Sequence, residues 1–255
     1  MNNSSPLRYY ALRLALGILR FLLYLLRLTP HVSYHAPYQS LLALYTSPIC
    51  VSLAGYKYKD CLEAMKQGDM AEIRLDTMNL TVEQTKNLFR SATVPLIATF
   101  RPGDASDTLR EEHLRTAIHA GAAYVDIELD APYLNSLMQE ARTHDCKVIL
   151  SYHNSTHTPG AKALKRIVQQ MQAHRPDVLK IVTHGLRSYD RLQLWSLYGI
   201  ASNLVAFCTG ANSGESRIAS GLAGAPFMYA APNDGPPTAD GQFTVAQLRN
   251  VKRDA

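Results

Sequence analysis

The chain has 255 residues, of which 47% are hydrophobic and 18% are charged, and its formal net charge at neutral pH is +5. This length and composition suit one large domain, or two small ones, with a sizeable apolar core. The positive charge is unevenly placed: residues 1–48 hold four arginines and no lysine or acid, whereas the remainder carries 22 basic and 21 acidic side chains. We therefore expect no extended basic surface on the folded part and no nucleic-acid partner.

The N-terminal segment 9–30 is strongly apolar and predicts a helix on which Arg13, Arg20 and Arg27 share one face. A membrane-spanning helix would place Arg20 near the bilayer centre, at a cost of roughly 2.5–3.5 kcal/mol. The pattern favours an interfacial amphipathic helix or an organelle transit peptide over a span, and an upstream start that is not used is the third interpretation. We expect residues 1–48 to be an extension and linker, residues 49–255 to be the folded domain, and the protein to be cytoplasmic unless the extension targets it elsewhere.

From residue 49 onward, short apolar runs alternate with segments whose apolar residues recur every three or four positions. A last helix is predicted to begin near residue 243. Strands that alternate with helices form parallel sheets, and eight right-handed repeats close into a (β/α)8 TIM barrel, an α/β fold. An open doubly wound sheet is the alternative, although no glycine-rich phosphate loop follows the first run. The predicted strands cover residues 49–55, 71–76, 95–101, 122–129, 147–153, 178–184, 203–210 and 226–232.

Cysteine usage indicates neither a disulfide framework nor a zinc site, because the four cysteines form no Cys-x-x-Cys pair. Buried, reduced thiols are the expected state, and one structural pair is the alternative. The positions are Cys50, Cys61, Cys146 and Cys208.

Polar residues gather where the predicted strands end. In a barrel, the carboxyl ends of the strands meet at one face, where active sites form. Residues far apart in sequence would therefore converge on one pocket. They are Glu72, Arg74, Arg101, Asp126, Glu128, His153, Lys180, Arg217 and Gln242.

The sixth strand, DVLKIVTHG, holds Lys180 within an apolar run that is typical of a strand buried on both faces. Desolvation disfavours the ammonium, and a neutral amine attacks a carbonyl to give an imine that acts as an electron sink. His153 can move protons near neutral pH, and arginines can hold a carboxylate through paired hydrogen bonds. Each residue alone also has an ordinary interpretation: an ion-paired lysine, a structural histidine, or solvated arginines.

Six segments, in order, resemble the motifs of the type I 3-dehydroquinate dehydratases: AEIRLD, ATFRP, SYHNSTHTP, DVLKI, SGESRI and TADGQ. The resemblance covers about residues 49–252. It implies that Lys180 forms the imine and that His153 is the general acid and base. It implies substrate-binding roles for Glu72, Arg74, Arg101, Arg217, Thr238 and Gln242.

Three positions depart from the family's pattern. Ala105 stands where the family usually has the glutamate that partners the catalytic histidine, so Asp104 or Asp107 would have to replace it. Asn154 replaces the aspartate after the histidine, and a neutral amide cannot stabilise an imidazolium as a carboxylate does. Asp240 replaces a proline of the lid, which predicts a less rigid lid.

The resemblance implies dehydration of 3-dehydroquinate to 3-dehydroshikimate, a lyase reaction of the shikimate pathway towards chorismate and the aromatic amino acids. It also implies a homodimer and no metal or organic cofactor. Two alternatives stay open. One is a different lysine-dependent barrel lyase or aldolase, and the other is a barrel with impaired catalysis that binds a ligand or contacts a membrane through residues 9–30.

Overall fold

The computed structural model describes residues 44, 46–210 and 213–254. The predicted N-terminal helix lies outside these residues, so its interpretation stays a prediction. The strands are β1 (Ile49–Leu53), β2 (Met70–Arg74), β3 (Leu96–Thr99), β4 (Tyr124–Glu128), β5 (Lys147–Asn154), β6 (Val178–His184), β7 (Leu204–Thr209) and β8 (Met228–Ala230). The helices are α1 (Tyr58–Ala64), α2 (Val82–Arg90), α3 (Asp107–His119), α4 (Leu134–Thr143), α5 (Ala161–Ala173), α6 (Ser188–Ser196), α7 (Gly214–Leu222) and α8 (Val245–Asp254).

The eight strands form one parallel sheet in the order β7-β6-β5-β4-β3-β2-β1-β8, and each is followed by a helix. The sheet curls into a nearly closed barrel, which confirms the predicted (β/α)8 fold. Six strands are shorter than predicted, namely β1, β2, β3, β4, β7 and β8. For β3 and β8 prolines contribute, because Pro95 precedes β3 and both Pro226 and Pro232 flank β8. A proline lacks the amide hydrogen that a strand interior needs, so it confines the ladder to the residues beyond it.

The barrel interior explains how an apolar strand can carry a lysine. Side chains alternate between the two faces of a strand. On β6, Leu179 and Ile181 pack into the core between strands and helices. Val178 and Val182 belong to the separate apolar cluster inside the barrel. Lys180 lies between those two valines and is 4% exposed, so its side chain points into the barrel.

Helix starts follow from local capping groups. Thr81 precedes α2 and forms a capping box: its hydroxyl accepts a hydrogen bond from the amide of Gln84, and its own amide donates one to Gln84 Oε1. Ser106 caps α3 by accepting from the amide of Leu109. These caps fix where the loops after β2 and β3 end, and those loops border the mouth of the barrel.

All four cysteines lie in the described part of the chain, where they are buried free thiols, as the sequence predicts. Among the described helices, none is long and apolar enough to cross a bilayer.

Candidate active site at the carboxyl ends of the strands

Lys180 Nζ is surrounded by three oxygen acceptors. It donates to Glu72 Oε1 at 3.1 Å, to Asp126 Oδ2 at 2.9 Å and to the Tyr229 hydroxyl at 3.0 Å. Three acceptors satisfy the three N–H bonds of an ammonium. The sequence argument that burial alone would neutralise this lysine is therefore incomplete, because two buried carboxylates compensate its charge. An incoming carbonyl group must replace one of these contacts to reach Nζ.

The Glu72 carboxylate is held in its charged form. Burial alone would raise the pKa of this carboxyl, but Lys180, followed by Arg74 and Arg101, outweighs it and holds the pKa at about 2. Thr99 donates to Glu72 Oε1 at 3.1 Å, and the Ser52 hydroxyl donates to Oε2. A carboxylate with this many donors is fixed in position and is a poor proton acceptor.

Arg101 connects the two carboxylates of β4. It binds Asp126 through both guanidinium nitrogens, at 2.7 and 3.2 Å, and Glu128 Oε1 at 2.5 Å. Ser151 completes the group, because its hydroxyl accepts from Arg101 at 3.0 Å and donates to Asp126 at 2.6 Å. Asp126 therefore lies between Arg101 and Lys180 and forms a salt bridge with each of them.

His153 contacts a carboxylate that comes from β4. Its Nδ1 lies 3.0 Å from Glu128 Oε1, and 3.3 Å from Arg101 Nη1. The expected substitutes for the family glutamate do not take this place, since Asp107 pairs with Arg110 on α3 and Asp104 is exposed. Sequence reasoning looked for the partner after β3, where the family has it, but the carboxylate comes from the neighbouring strand.

The groups around His153 shift its pKa in opposite directions. Burial and then Arg101 lower the pKa of His153, while the hydrogen bond to Glu128 opposes them. The net lowering favours a neutral imidazole near pH 7, which can accept a proton. Because Nδ1 of His153 contacts Glu128, Nε2 is the ring nitrogen that remains to contact a substrate.

Asn154, the second departure, supports the loop after β5. Its side-chain oxygen accepts hydrogen bonds from the Thr156 amide at 3.0 Å, the Thr156 hydroxyl at 2.9 Å and the His157 amide at 3.0 Å. An aspartate could accept the same three bonds. Among the described hydrogen bonds of this side chain, none reaches the His153 ring, so the replacement of a carboxylate at this position acts on the loop.

Arg217 on α7 is 5% exposed, and its guanidinium stacks on the Phe207 ring at 4.1 Å from the centroid. Among the described residues, none forms a salt bridge with it, and its Nε has no hydrogen-bond partner. Burial lowers the pKa of this arginine to about 10, and the charge of Glu72 only partly opposes this effect. A buried cation of this kind is a ready partner for an anionic ligand group.

Arg74 lies at the end of β2 beside the site. It is paired with Asp76, with Nε to Oδ1 at 3.0 Å and Nη2 to Oδ2 at 2.7 Å. The positive charge of Arg74 lowers the pKa of Glu72, so the side chains of these two residues of the second strand are close neighbours. A polar substrate group would meet an arginine whose orientation Asp76 already fixes.

The loop 238–242 lies over the mouth of the barrel. Thr238 donates to Gln242 Oε1 from its amide at 2.8 Å and from its hydroxyl at 2.9 Å, and it lies 3.3 Å from the Ser52 hydroxyl. The backbone carbonyl of Asp240 accepts from Ser213 at 2.9 Å. These contacts secure the loop despite the missing proline. They join it to β1 and to the start of the helix that carries Arg217.

Tyr229 on β8 was not singled out from the sequence, because it sits in the apolar run PFMYAAP and no motif marks it. The alternation of β8 gives the only signal: Phe227 and Tyr229 both belong to the cluster inside the barrel. In the described part of the chain, no three His, Cys, Asp or Glu side chains are arranged to hold a metal ion.

Comparisons with known proteins agree with this arrangement. The family model for type I 3-dehydroquinase matches residues 49–253. A 3-dehydroquinate dehydratase of Dehalococcoides mccartyi is 32% identical over 214 residues, covering 81% of this chain and 95% of the relative. One from Thermococcus onnurineus is 37% identical over 198 residues, covering 74% and 90%. A solved type I 3-dehydroquinate dehydratase from Clostridium difficile shares the fold, with a TM-score of 0.72 at 20% identity, covering 81% of this chain and 91% of that one. By sequence and by fold, this chain belongs to the type I 3-dehydroquinase family.

Proposed function

We propose that this protein is a lyase that dehydrates 3-dehydroquinate to 3-dehydroshikimate, in the shikimate pathway towards chorismate and the aromatic amino acids, through an imine at Lys180. The observation that carries the proposal is a buried lysine, Lys180, that lies inside the barrel beside a histidine–carboxylate pair. Membership of the family, and the names of the relatives, give the substrate.

The reaction begins at Lys180. Its amine, once deprotonated, attacks the C3 ketone, and loss of water gives a protonated imine. Glu72 and Asp126 lie 3.1 and 2.9 Å from Nζ. Both carboxylates would therefore stabilise the positive charge of the imine as they stabilise the ammonium.

His153 then removes a proton from C2. Its neutral imidazole can accept this proton, and the electron pair moves into the imine to form an enamine. The enamine expels the C1 hydroxyl, to which the imidazolium returns the proton, so that water leaves. Hydrolysis of the imine releases 3-dehydroshikimate. Glu128, 3.0 Å from Nδ1, stabilises the imidazolium between these two steps.

The remaining residues hold the substrate. Arg217 would bind the carboxylate, because it is the buried cation near the site that forms no salt bridge with a described residue. Thr238 and Gln242 would close over it from the loop at the mouth. Arg74 and Arg101, with Glu72, would orient the ring hydroxyls.

The test is reduction with borohydride in the presence of 3-dehydroquinate, read by intact mass and peptide mapping on the full chain. We expect a stable adduct on Lys180, together with formation of the conjugated product detected by its ultraviolet absorbance. Lys180→Met is the control that should give neither. An adduct without product would favour the impaired barrel. An adduct with other ketones or aldehydes but none with 3-dehydroquinate would favour another lyase or aldolase. No adduct on a folded wild-type chain refutes the lysine assignment.

A further inference from the structure

Tyr229 places a hydroxyl against the nitrogen that would react. The residue is 6% exposed, and its hydroxyl lies 3.0 Å from Lys180 Nζ. Its ring is fixed by edge contacts with Phe227 at 5.3 Å and Phe207 at 6.2 Å between centroids. In the part of the chain that the structure describes, Lys180 is the only hydrogen-bond partner of this hydroxyl. The hydroxyl hydrogen is therefore available for a ligand.

Addition of an amine to a ketone creates a need for proton transfer. As the C–N bond forms, the nitrogen becomes positively charged and the carbonyl oxygen becomes an alkoxide. A proton must leave the first atom and reach the second. The two carboxylates at Nζ can accept hydrogen bonds but carry no proton to donate. Against the effect of burial, Lys180 and the nearby arginines hold the pKa of Glu72 at about 2, and Arg101 and Lys180 lower the pKa of Asp126. A hydroxyl can accept and donate together.

We propose that Tyr229 is a catalytic residue that relays a proton from Lys180 Nζ to the oxygen of the substrate ketone when the two become joined. The inference rests on the proposed function. In the step, the nitrogen lone pair forms the C–N bond and the carbonyl π pair moves to oxygen. Nζ gives one proton to the tyrosine oxygen, while the tyrosine hydroxyl gives its own proton to the alkoxide. The product is a neutral carbinolamine, and the tyrosine ends as it began.

The geometry and the charges favour a relay over a free phenolate. The oxygen of a carbonyl joined to Nζ lies two bonds from that nitrogen, so a hydroxyl that contacts Nζ is within reach of both atoms. Burial, followed by the charge of Glu72, raises the pKa of Tyr229 well above its ordinary value. A phenolate beside two carboxylates would be costly, whereas a relay leaves the tyrosine neutral throughout.

The test compares Tyr229→Phe with the wild type in single-turnover experiments, in which borohydride stops samples of enzyme and saturating 3-dehydroquinate at increasing times. The variant keeps the ring contacts and loses only the hydroxyl. Because a positioned proton-transfer group typically contributes about 10²–10⁴-fold and water can partly replace it, we expect adduct to form about 10–100-fold more slowly. Tyr124→Phe is the matched control. Tyr124 also lines the barrel against Phe227, at 6.0 Å between centroids, but it is the first residue of β4, at the amino end of the strand, and loss of its hydroxyl should not change the rate.

Binding is measured separately, so that a packing role can be recognised. Calorimetry with 3-dehydroquinate compares Lys180→Met with the double variant Lys180→Met/Tyr229→Phe, and the relay predicts equal dissociation constants. The proposal is overturned if Tyr229→Phe forms adduct at the wild-type rate, or if the double variant binds 3-dehydroquinate more weakly than Lys180→Met by a factor that accounts for the slower rate. Failure of the wild type itself to form an adduct is a different result, because it refutes the imine mechanism before Tyr229 is considered.

Discussion

Replacement of Glu128 by glutamine tests whether this β4 carboxylate has taken the place of the missing glutamate at Ala105. Glutamine keeps the shape of the side chain and removes the negative charge 3.0 Å from His153 Nδ1. Since that charge stabilises the imidazolium, its loss lowers the pKa of His153 further than burial and Arg101 already do. The acid limb of kcat/KM should therefore move to lower pH.

The magnitude follows from the contact. Two unit charges 3.0 Å apart interact by about 5.5 kcal/mol at an effective dielectric constant of about 20. Solvent reduces this value, because the His153 side chain is 29% exposed, and Arg101 shares the same carboxylate. A hydrogen bond to a charged group contributes about 1.5–3 kcal/mol, which corresponds to a shift of about 1–2 pH units. In the proposed mechanism the imidazolium is an intermediate, so kcat near neutrality should fall about 10–100-fold.

Steady-state kinetics from about pH 5 to 9 give the acid limb, and ring resonances in nuclear magnetic resonance titrations give the pKa of His153 directly. A His153→Asn variant identifies the resonance. Glu140→Gln is the matched control, because Glu140 contacts His119 on the outer helices at 2.5 Å and lies away from the barrel mouth. An acid limb that stays in place, or moves to higher pH, would contradict the assignment of Glu128 to His153.

Two further predictions concern the neighbours of His153 and Lys180. Asn154→Asp should leave the melting temperature unchanged and kcat within about twofold of the wild-type value, because an aspartate accepts the same three loop hydrogen bonds. A tenfold gain in kcat would show that the amide limits catalysis. Lys180→Met should lower the free energy of unfolding at pH 7 by about 3–5 kcal/mol, since it leaves Glu72 and Asp126 buried without their shared cation. The wild type owes part of its stability to Glu72, whose folded pKa of about 2 lies below its unfolded value; that contribution is complete above about pH 4.5 and is lost as the pH falls towards 2. Urea unfolding should show the difference between wild type and Lys180→Met shrinking over this range, and a constant difference would refute the argument.

The fold followed from the sequence because periodicity reports burial. Apolar runs alternated with helical patterns eight times, and parallel pairing with right-handed crossovers leaves few arrangements of such a chain. The predicted ranges of β3 and β8 were too wide, since they included Pro95, Pro226 and Pro232, which lie outside the strands. The meeting of the side chains of the site was likewise predictable, because Arg101 and His153 end predicted strands while Glu72 and Lys180 are charged residues within predicted strands of the same barrel.

Specific contacts within the site could not be predicted from the same pattern. Which carboxylate reaches His153 depends on the stagger of neighbouring strands: Glu128 pairs in register with Ser151, two residues before the histidine. Tyr229 was missed because a tyrosine in an apolar strand looks like core, and only the structure shows where its hydroxyl points. Lys180 was expected to be neutral, because sequence shows its burial but not the two carboxylates that face it.

The site behaves as one electrostatic unit. Asp126 contacts both Lys180 and Arg101, and Arg101 also contacts Glu128, so Lys180 Nζ and the His153 ring are connected through three charged side chains. Removal of any one charge changes the field at both reacting groups, and the effects of two such changes will not add. The loss of the usual glutamate can be tolerated in such a unit. Arg101 orients Glu128 towards His153, and Asp126 keeps Arg101 in place, so the histidine retains a carboxylate without one at position 105.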